Sequence, residues 1–190
     1  HMGVLDKKVE KGELPPEPRI PLDEVRVPAY HPDLPEIRHD WARFHELITV
    51  MDKAQGQLIQ EVIDAGLWDD TIVVFYSDHG GVLSRSKRYI YNGGTQVPLI
   101  VRVPEKWKHL MPGKPGSAND EFVQFVDLPK TMLDICGLRV PEVMQGRVFM
   151  GKNTEPAPKT LTCYRDRQSD KFDCSRAITD GEHYLIRNFY

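Results

Sequence analysis

Six successive residues, Thr71-Ile72-Val73-Val74-Phe75-Tyr76, carry no charge and no turn former. Four are β-branched and two are aromatic. A run this short and continuous predicts a strand buried on both faces, as in a parallel sheet covered by helices. Pro98-Leu99-Ile100-Val101-Arg102-Val103 is a second run of the same kind. Strands that apolar must be layered against helices, so the chain is predicted to build part of an α/β domain.

The segments around the two runs fit that reading. Trp41, Phe44, Leu47, Ile48, Met51, Leu58, Val62 and Ile63 recur at spacings of three and four. The periodicity predicts a helix over 36–65, with Asp33 as its cap, Glu36 in its first turn and Gly66 as its stop. A second helix is predicted over 122–137, capped by Asp127 and ended by Gly137. Three strand-like runs close the chain at 159–164, 175–179 and 183–189, and Asp180-Gly181 joins the last two with a hairpin signal.

Residues 4–35 differ in kind. They hold nearly half of the chain's 15 prolines, including Leu14-Pro15-Pro16-Glu17-Pro18 and Pro32-Asp33-Leu34-Pro35. Proline fixes φ and donates no backbone hydrogen bond, so this arm is predicted to run extended over another surface. His1-Met2-Gly3 reads as the remnant of a tag. The predicted organisation is residues 1–35 as tag and arm, 36–137 as part of an α/β domain, and 138–190 as a small C-terminal subdomain with an antiparallel sheet. A doubly wound sheet with only two strands is not viable alone, so the chain is expected to be a fragment of a larger domain.

Composition excludes several roles. The net charge of -3 gives no footprint for nucleic acid or an anionic membrane. No apolar run approaches the length of a membrane span. The cysteines Cys136, Cys163 and Cys174 are too few and too widely spaced for a disulfide framework or a zinc knuckle, although Cys163 and Cys174 could face each other across a hairpin. They read as buried or half-buried thiols. His31, His39, His45, His109 and His183 are scattered and read as structural or solvent-facing.

Asp78 and His79 lie just past the first apolar run, where α/β sheets gather functional groups. A carboxylate and an imidazole are both metal ligands, and two on one strand end are oriented at little entropic cost. An Asp-His pair in a turn can equally be a solvated or capping pair. The wider context carries more. The stretch Gly66-Leu67-Trp68-Asp69-Asp70-Thr71-Ile72-Val73-Val74-Phe75-Tyr76-Ser77-Asp78-His79-Gly80 resembles the sulfatase family, where such a run ends in two metal ligands. Met51-Asp52 to Leu58, Lys87 to Val101, Val126 to Asp134 and Gln145-Gly146-Arg147 resemble further family blocks in the same order. The resemblance covers residues 20–190. Arg165-Asp166-Arg167, Arg176-Ala177 and Tyr184 with Arg187-Asn188-Phe189 look closest to heparan-type sulfamidases and related bacterial sulfatases.

The resemblance implies a metal-dependent sulfuric-ester hydrolase of the alkaline-phosphatase-like fold, with a partial doubly wound sheet in this chain. It implies that Asp78 and His79 bind a divalent cation, usually calcium, and that Lys87 contacts the sulfate. A fixed ammonium there would stabilise charge on the sulfate oxygens; a solvated loop lysine is the alternative. Arg165, Asp166 and Arg167 are expected either to form a substrate-specificity loop or to sit in a solvated hairpin. Many members carry Asn where this chain has His79, and some phosphonate and phosphodiester hydrolases share the Asp-His form. The implied partner is a sulfated small molecule or glycan.

The family nucleophile is a formylglycine made within a C-x-[PA]-x-R motif. Cys136-Gly137-Leu138, Cys163-Tyr164-Arg165 and Cys174-Ser175-Arg176 all lack the required third residue. The acidic N-terminal ligands of the family are missing too. The expectation is a chain that is inactive alone, binds metal weakly, and could associate with itself through the faces the missing part would cover. The sequence assigns no compartment; family members that work on sulfated glycans are usually exported, to the periplasm or outside the cell.

Overall fold

A computed structural model describes residues 7–168 and 170–189. The chain divides into two compact units, residues 1–65 with 78–97, and residues 66–77 with 98–190.

The first unit is built on one long helix, α1 (Pro35–Asp64). Pro35 opens it, at a position where an N–H would have no helical partner anyway. Gly66 follows its end with φ +70, as expected of a helix stop. Asp33 does not cap it, because its carboxylate is taken by Arg38 in a two-pronged pair, Nε–Oδ1 2.5 Å and Nη2–Oδ2 2.8 Å. The same guanidinium donates to the carbonyls of Leu22 (2.8 Å) and Val25 (2.9 Å). Arg43, buried on α1, donates to Pro16 O at 2.7 Å and to Glu46 at 2.6 Å. The proline-rich arm has carbonyls with no helical or sheet partner, and two arginines of α1 satisfy them. Leu14 and Val25 of the arm are buried. The second half of α1 has no such cover, and Met51, Leu58 and Ile63 of its apolar stripe are exposed, Leu58 at 54%.

The second unit holds two small sheets and a helix. β1 (Val73–Tyr76) and β2 (Leu99–Arg102) form a two-stranded sheet. They pair antiparallel, Val73 opposite Arg102 and Tyr76 opposite Leu99, not parallel as the apolar runs predicted. A parallel crossover needs an intervening element that spans the strand length, usually a helix. The connection here carries only the four-residue helix α2 (Asn92–Thr95), so the chain returns beside itself. Neither strand is buried on both faces; Ile100 is 62% exposed.

Helix α3 (Asp127–Ile135) starts later than the predicted residue 122. Pro129 explains the start. It has no N–H, so it is tolerated in the first turn but not farther inside a helix. Asp127 is not the cap; its Oδ2 accepts the Gln124 N–H (2.8 Å) and its Oδ1 the Arg147 N–H (2.9 Å). One face of α3 grips residues 146–155. Lys130 pairs with Glu155 at 2.8 Å, Thr131 Oγ1 accepts the Phe149 N–H, and Asp134 accepts the N–H groups of Lys152 and Asn153. Arg147, buried, donates to Glu121 and to the carbonyls of Phe122 and Glu155. Two separate sequence blocks, 126–134 and 145–147, therefore make one polar latch.

The tail forms an antiparallel three-stranded sheet of β3 (Leu161–Gln168), β4 (Lys171–Thr179) and β5 (Tyr184–Asn188) in that order. Asp180 makes the predicted turn by accepting the N–H groups of Glu182 (3.0 Å) and His183 (2.7 Å). Cys163 lies opposite Ala177, so it does not face Cys174, and all three cysteines are free. Cys136 is exposed rather than buried, because it sits on the open last turn of α3. No helix among the described residues is long and apolar enough to cross a membrane.

Candidate functional site

Asp78 and His79 follow β1 by two residues and open the loop 78–97 of the first unit. Two glycines shape the loop. Gly80 N–H donates to Gly94 O at 3.1 Å. A Cβ on Gly80 would collide with Gly93 O, and one on Gly94 with the carbonyls of Tyr89 and Ser86. Only glycine lets the two ends of the loop approach so closely. Gly81 packs against Phe44 of α1 in the same way, since a Cβ there would stand 2.7 Å from the ring.

The geometry of Asp78 and His79 is specific. His79 Nδ1 lies 2.7 Å from Gly80 O. A carbonyl can only accept, so Nδ1 carries a proton. In the neutral ring the lone pair is then on Nε2, which stands 3.4 Å from Asp78 Oδ2. The Asp78 side chain is 81% exposed and that of His79 33%, so the pair opens to solvent. Among the described residues no group of three or more His, Cys, Asp or Glu side chains is placed to share a metal ion. The donors fit a cation site in chemistry but supply two ligands, where calcium takes about six to eight oxygens.

Lys87 lies farther along the same loop. Its N–H donates to Gly81 O at 2.9 Å, its side chain is half-buried, and among the described residues it makes no ion pair. It is flanked by two residues in the left-handed region, Arg85 at φ +61 and Arg88 at φ +72. Such conformations cost about 1–3 kcal/mol each in a residue with a Cβ and collect at functional sites. The Arg85 guanidinium sits 4.7 Å over the Tyr91 ring, which stacks on Tyr89. Arg85 and Arg88 escaped the sequence reading, because left-handed arginines leave no compositional signal.

The structure brings Asp78, His79 and Lys87 into one unit and one loop. Arg165, Asp166 and Arg167 belong to the other unit, on strand β3 rather than in a loop. Arg165 pairs with Asp173, and Asp166 pairs with Arg176 at 2.6 Å. The Asp173 carboxyl is held below the usual range first by the Ser175 hydroxyl and then by Arg165. Arg176 is raised by its bond to Asp166. Arg167 is exposed beside an irregularity in the β3–β4 register.

These features define a mixed α/β chain with a donor pair just past a strand end and an ammonium in the loop that follows. A sequence model of the family described as Sulfatase matches residues 18–138. The chain is 33% identical over 166 residues to an ulvan-active sulfatase of Formosa agariphila, covering 87% of this chain and 27% of that protein. It is 35% identical over 126 residues to N-sulphoglucosamine sulphohydrolase of Homo sapiens, covering 66% and 24%. It is 27% identical over 174 residues to the multifunctional alkaline phosphatase superfamily protein PehA of Trinickia caryophylli, covering 81% and 33%. The chain belongs to the sulfatase family, within the alkaline-phosphatase-like superfamily. It spans about a quarter to a third of the length of these relatives.

Proposed function

We propose that this chain is the part of a sulfuric-ester hydrolase that supplies half of its cation site and one sulfate-binding ammonium. The observation that carries the reading is the facing of His79 Nε2 and Asp78 Oδ2, 3.4 Å apart, in the loop that also carries Lys87. Asp78 and His79 would hold a divalent cation together with acidic ligands from another part of the enzyme. Calcium is the family expectation, and the imidazole donor would also suit manganese or zinc. Such a cation, when bound, supplies positive charge for the sulfate oxygens. The nucleophile, a formylglycine in this reading, would also come from outside the residues present.

Lys87 then has a direct role. Its ammonium, half-buried and without a carboxylate partner among the described residues, stabilises charge on the sulfate and on the leaving oxygen. The substrate is a sulfated small molecule or glycan. Arg167, the exposed arginine of the Arg165-Asp166-Arg167 group, is the one best presented to a sulfated sugar. In the whole enzyme the rest of the polypeptide would cover the exposed stripe of α1 and complete a doubly wound sheet around β1. A copy of this chain alone would be inactive, and its bare stripe would favour self-association.

The second reading is a phosphodiester or phosphonate hydrolase of the same superfamily, suggested by the Asp78-His79 form that some such enzymes share. The full-length enzyme assayed on an aryl sulfate and on a bis-aryl phosphate separates the two. The first reading predicts that the sulfate is the better substrate by kcat/KM, and that Lys87→Ala costs about 10²–10³ in kcat. A preference for the phosphodiester, or a Lys87→Ala enzyme with full activity, contradicts it.

A further inference from the structure

The loop that carries Lys87 holds two left-handed arginines and is held at both ends by glycine contacts, yet its middle has its own anchor. His31, in the proline-rich arm, reaches it. His31 Nε2 lies 3.0 Å from Ser84 O, and Trp41 Nε1 lies 3.0 Å from His31 Nδ1. An indole N–H can only donate, so Nδ1 accepts and Nε2 carries the proton given to Ser84 O. The ring is thus locked in one tautomer between a rigid helix and the loop. Tyr30 packs edge-on against it with ring centroids 4.6 Å apart. Trp41 in turn meets Phe44 edge-on at 5.7 Å, and Phe44 is the ring that backs Gly81.

Two neighbouring residues of α1 therefore hold the loop ahead of Lys87. Phe44 backs it at Gly81. Trp41 acts through His31 at Ser84, next to the strained Arg85. We infer that His31 is a positioning residue for Lys87, acting through a hydrogen bond to Ser84 O that the indole of Trp41 orients. The inference rests on the sulfatase reading of the site for its kinetic consequence, but the anchoring is a property of the chain itself. It also accounts for the arm, whose carbonyls are pinned by Arg38 and Arg43 so that His31 is delivered to one point of the loop.

The test uses three variants of the full-length enzyme with an aryl sulfate. Glutamine places an amide nitrogen where Nε2 stands, so His31→Gln keeps the donor to Ser84 O. Asparagine places an oxygen near Nδ1, so His31→Asn keeps only the acceptor for Trp41. His31→Phe keeps neither. The expected result is kcat within about threefold of wild type for Gln. For Asn and Phe, kcat falls about tenfold or more while KM changes less than twofold, because a small misplacement of the ammonium acts on the transition state. A purely structural role for His31 against Trp41 would give the reverse order, with Asn tolerated and Gln impaired. That order, or a Phe variant with wild-type kcat, overturns the inference. If the wild-type enzyme does not turn over sulfate esters at all, the sulfatase reading fails instead. Amide exchange at Ser86, Lys87 and Tyr89 then decides the anchoring alone. Faster exchange in His31→Phe supports it, and unchanged exchange overturns it.

Discussion

Arg147 shows how much one buried side chain can carry. Its guanidinium joins Glu121 with the carbonyls of Phe122 and Glu155, and its own N–H is taken by Asp127. Arg147→Met fills similar volume but leaves three acceptors without their donor. Half-buried acceptors left without their donor and a broken charged bond cost about 3 kcal/mol together. The predicted result is exchange on the order of a hundredfold faster at the Val148 and Phe149 amides, since every 1.4 kcal/mol is about tenfold. Exchange within threefold of wild type would mean that α3 holds the segment without Arg147. At this scale the sequence singled out Asp78, His79 and Lys87 as candidates because ordered motif blocks surround them. It read His31 only as structural or solvent-facing, because that residue sits in an arm whose composition marks only extension. The partners of His31 are Trp41 and Ser84, far from it in sequence, and no local pattern encodes such a pair.

At the scale of elements, the latch on α3 has a predictable dependence on acid. Hydrogen bonds from Asn153 hold the Asp134 carboxyl below its usual range, and Lys130 does the same for Glu155. A carboxyl lowered in the folded state contributes stability that is full above the unfolded value of about 4. That contribution is lost as pH falls further, through the lowered folded values. The segment 146–155 should therefore release below about pH 4. Pepsin cleavage between residues 140 and 156 should be seen at pH 3 and be absent at pH 5, and Asp134→Asn should cleave more readily at pH 5. Resistance at pH 3 would show that the apolar residues Val148, Phe149 and Met150, all buried, hold the segment unaided. Element boundaries were readable where a local device sets them, as with Pro35 and Gly66 on α1 or Asp180 in the last hairpin. The direction of β1 against β2 was not readable. A short apolar run has the same appearance in either pairing, and the choice is made by a loop whose closure depends on Gly80 and Gly94 meeting across it. The start of α3 was misread for a different reason, since Pro129 was visible and limits how early that helix begins.

At the scale of the molecule, what the chain leaves open is as informative as what it builds. The donors Asp78 and His79 face solvent, the apolar stripe of α1 is exposed, and β1 and β2 are half-covered. Each is explained if a larger sulfatase closes over them, which agrees with a chain spanning about a quarter to a third of its relatives. The central claim is that Asp78 and His79 are half of a cation site completed elsewhere. Manganese titrated by calorimetry into this chain and into the full-length enzyme, each also as Asp78→Asn with His79→Ala, tests it directly. The account predicts binding weaker than about millimolar by the chain alone, where two ligands cannot satisfy the ion. It predicts affinity at least a hundredfold tighter in the full-length enzyme, lost in the double variant. Micromolar binding by the chain alone, or full-length affinity unchanged by the double variant, would contradict it.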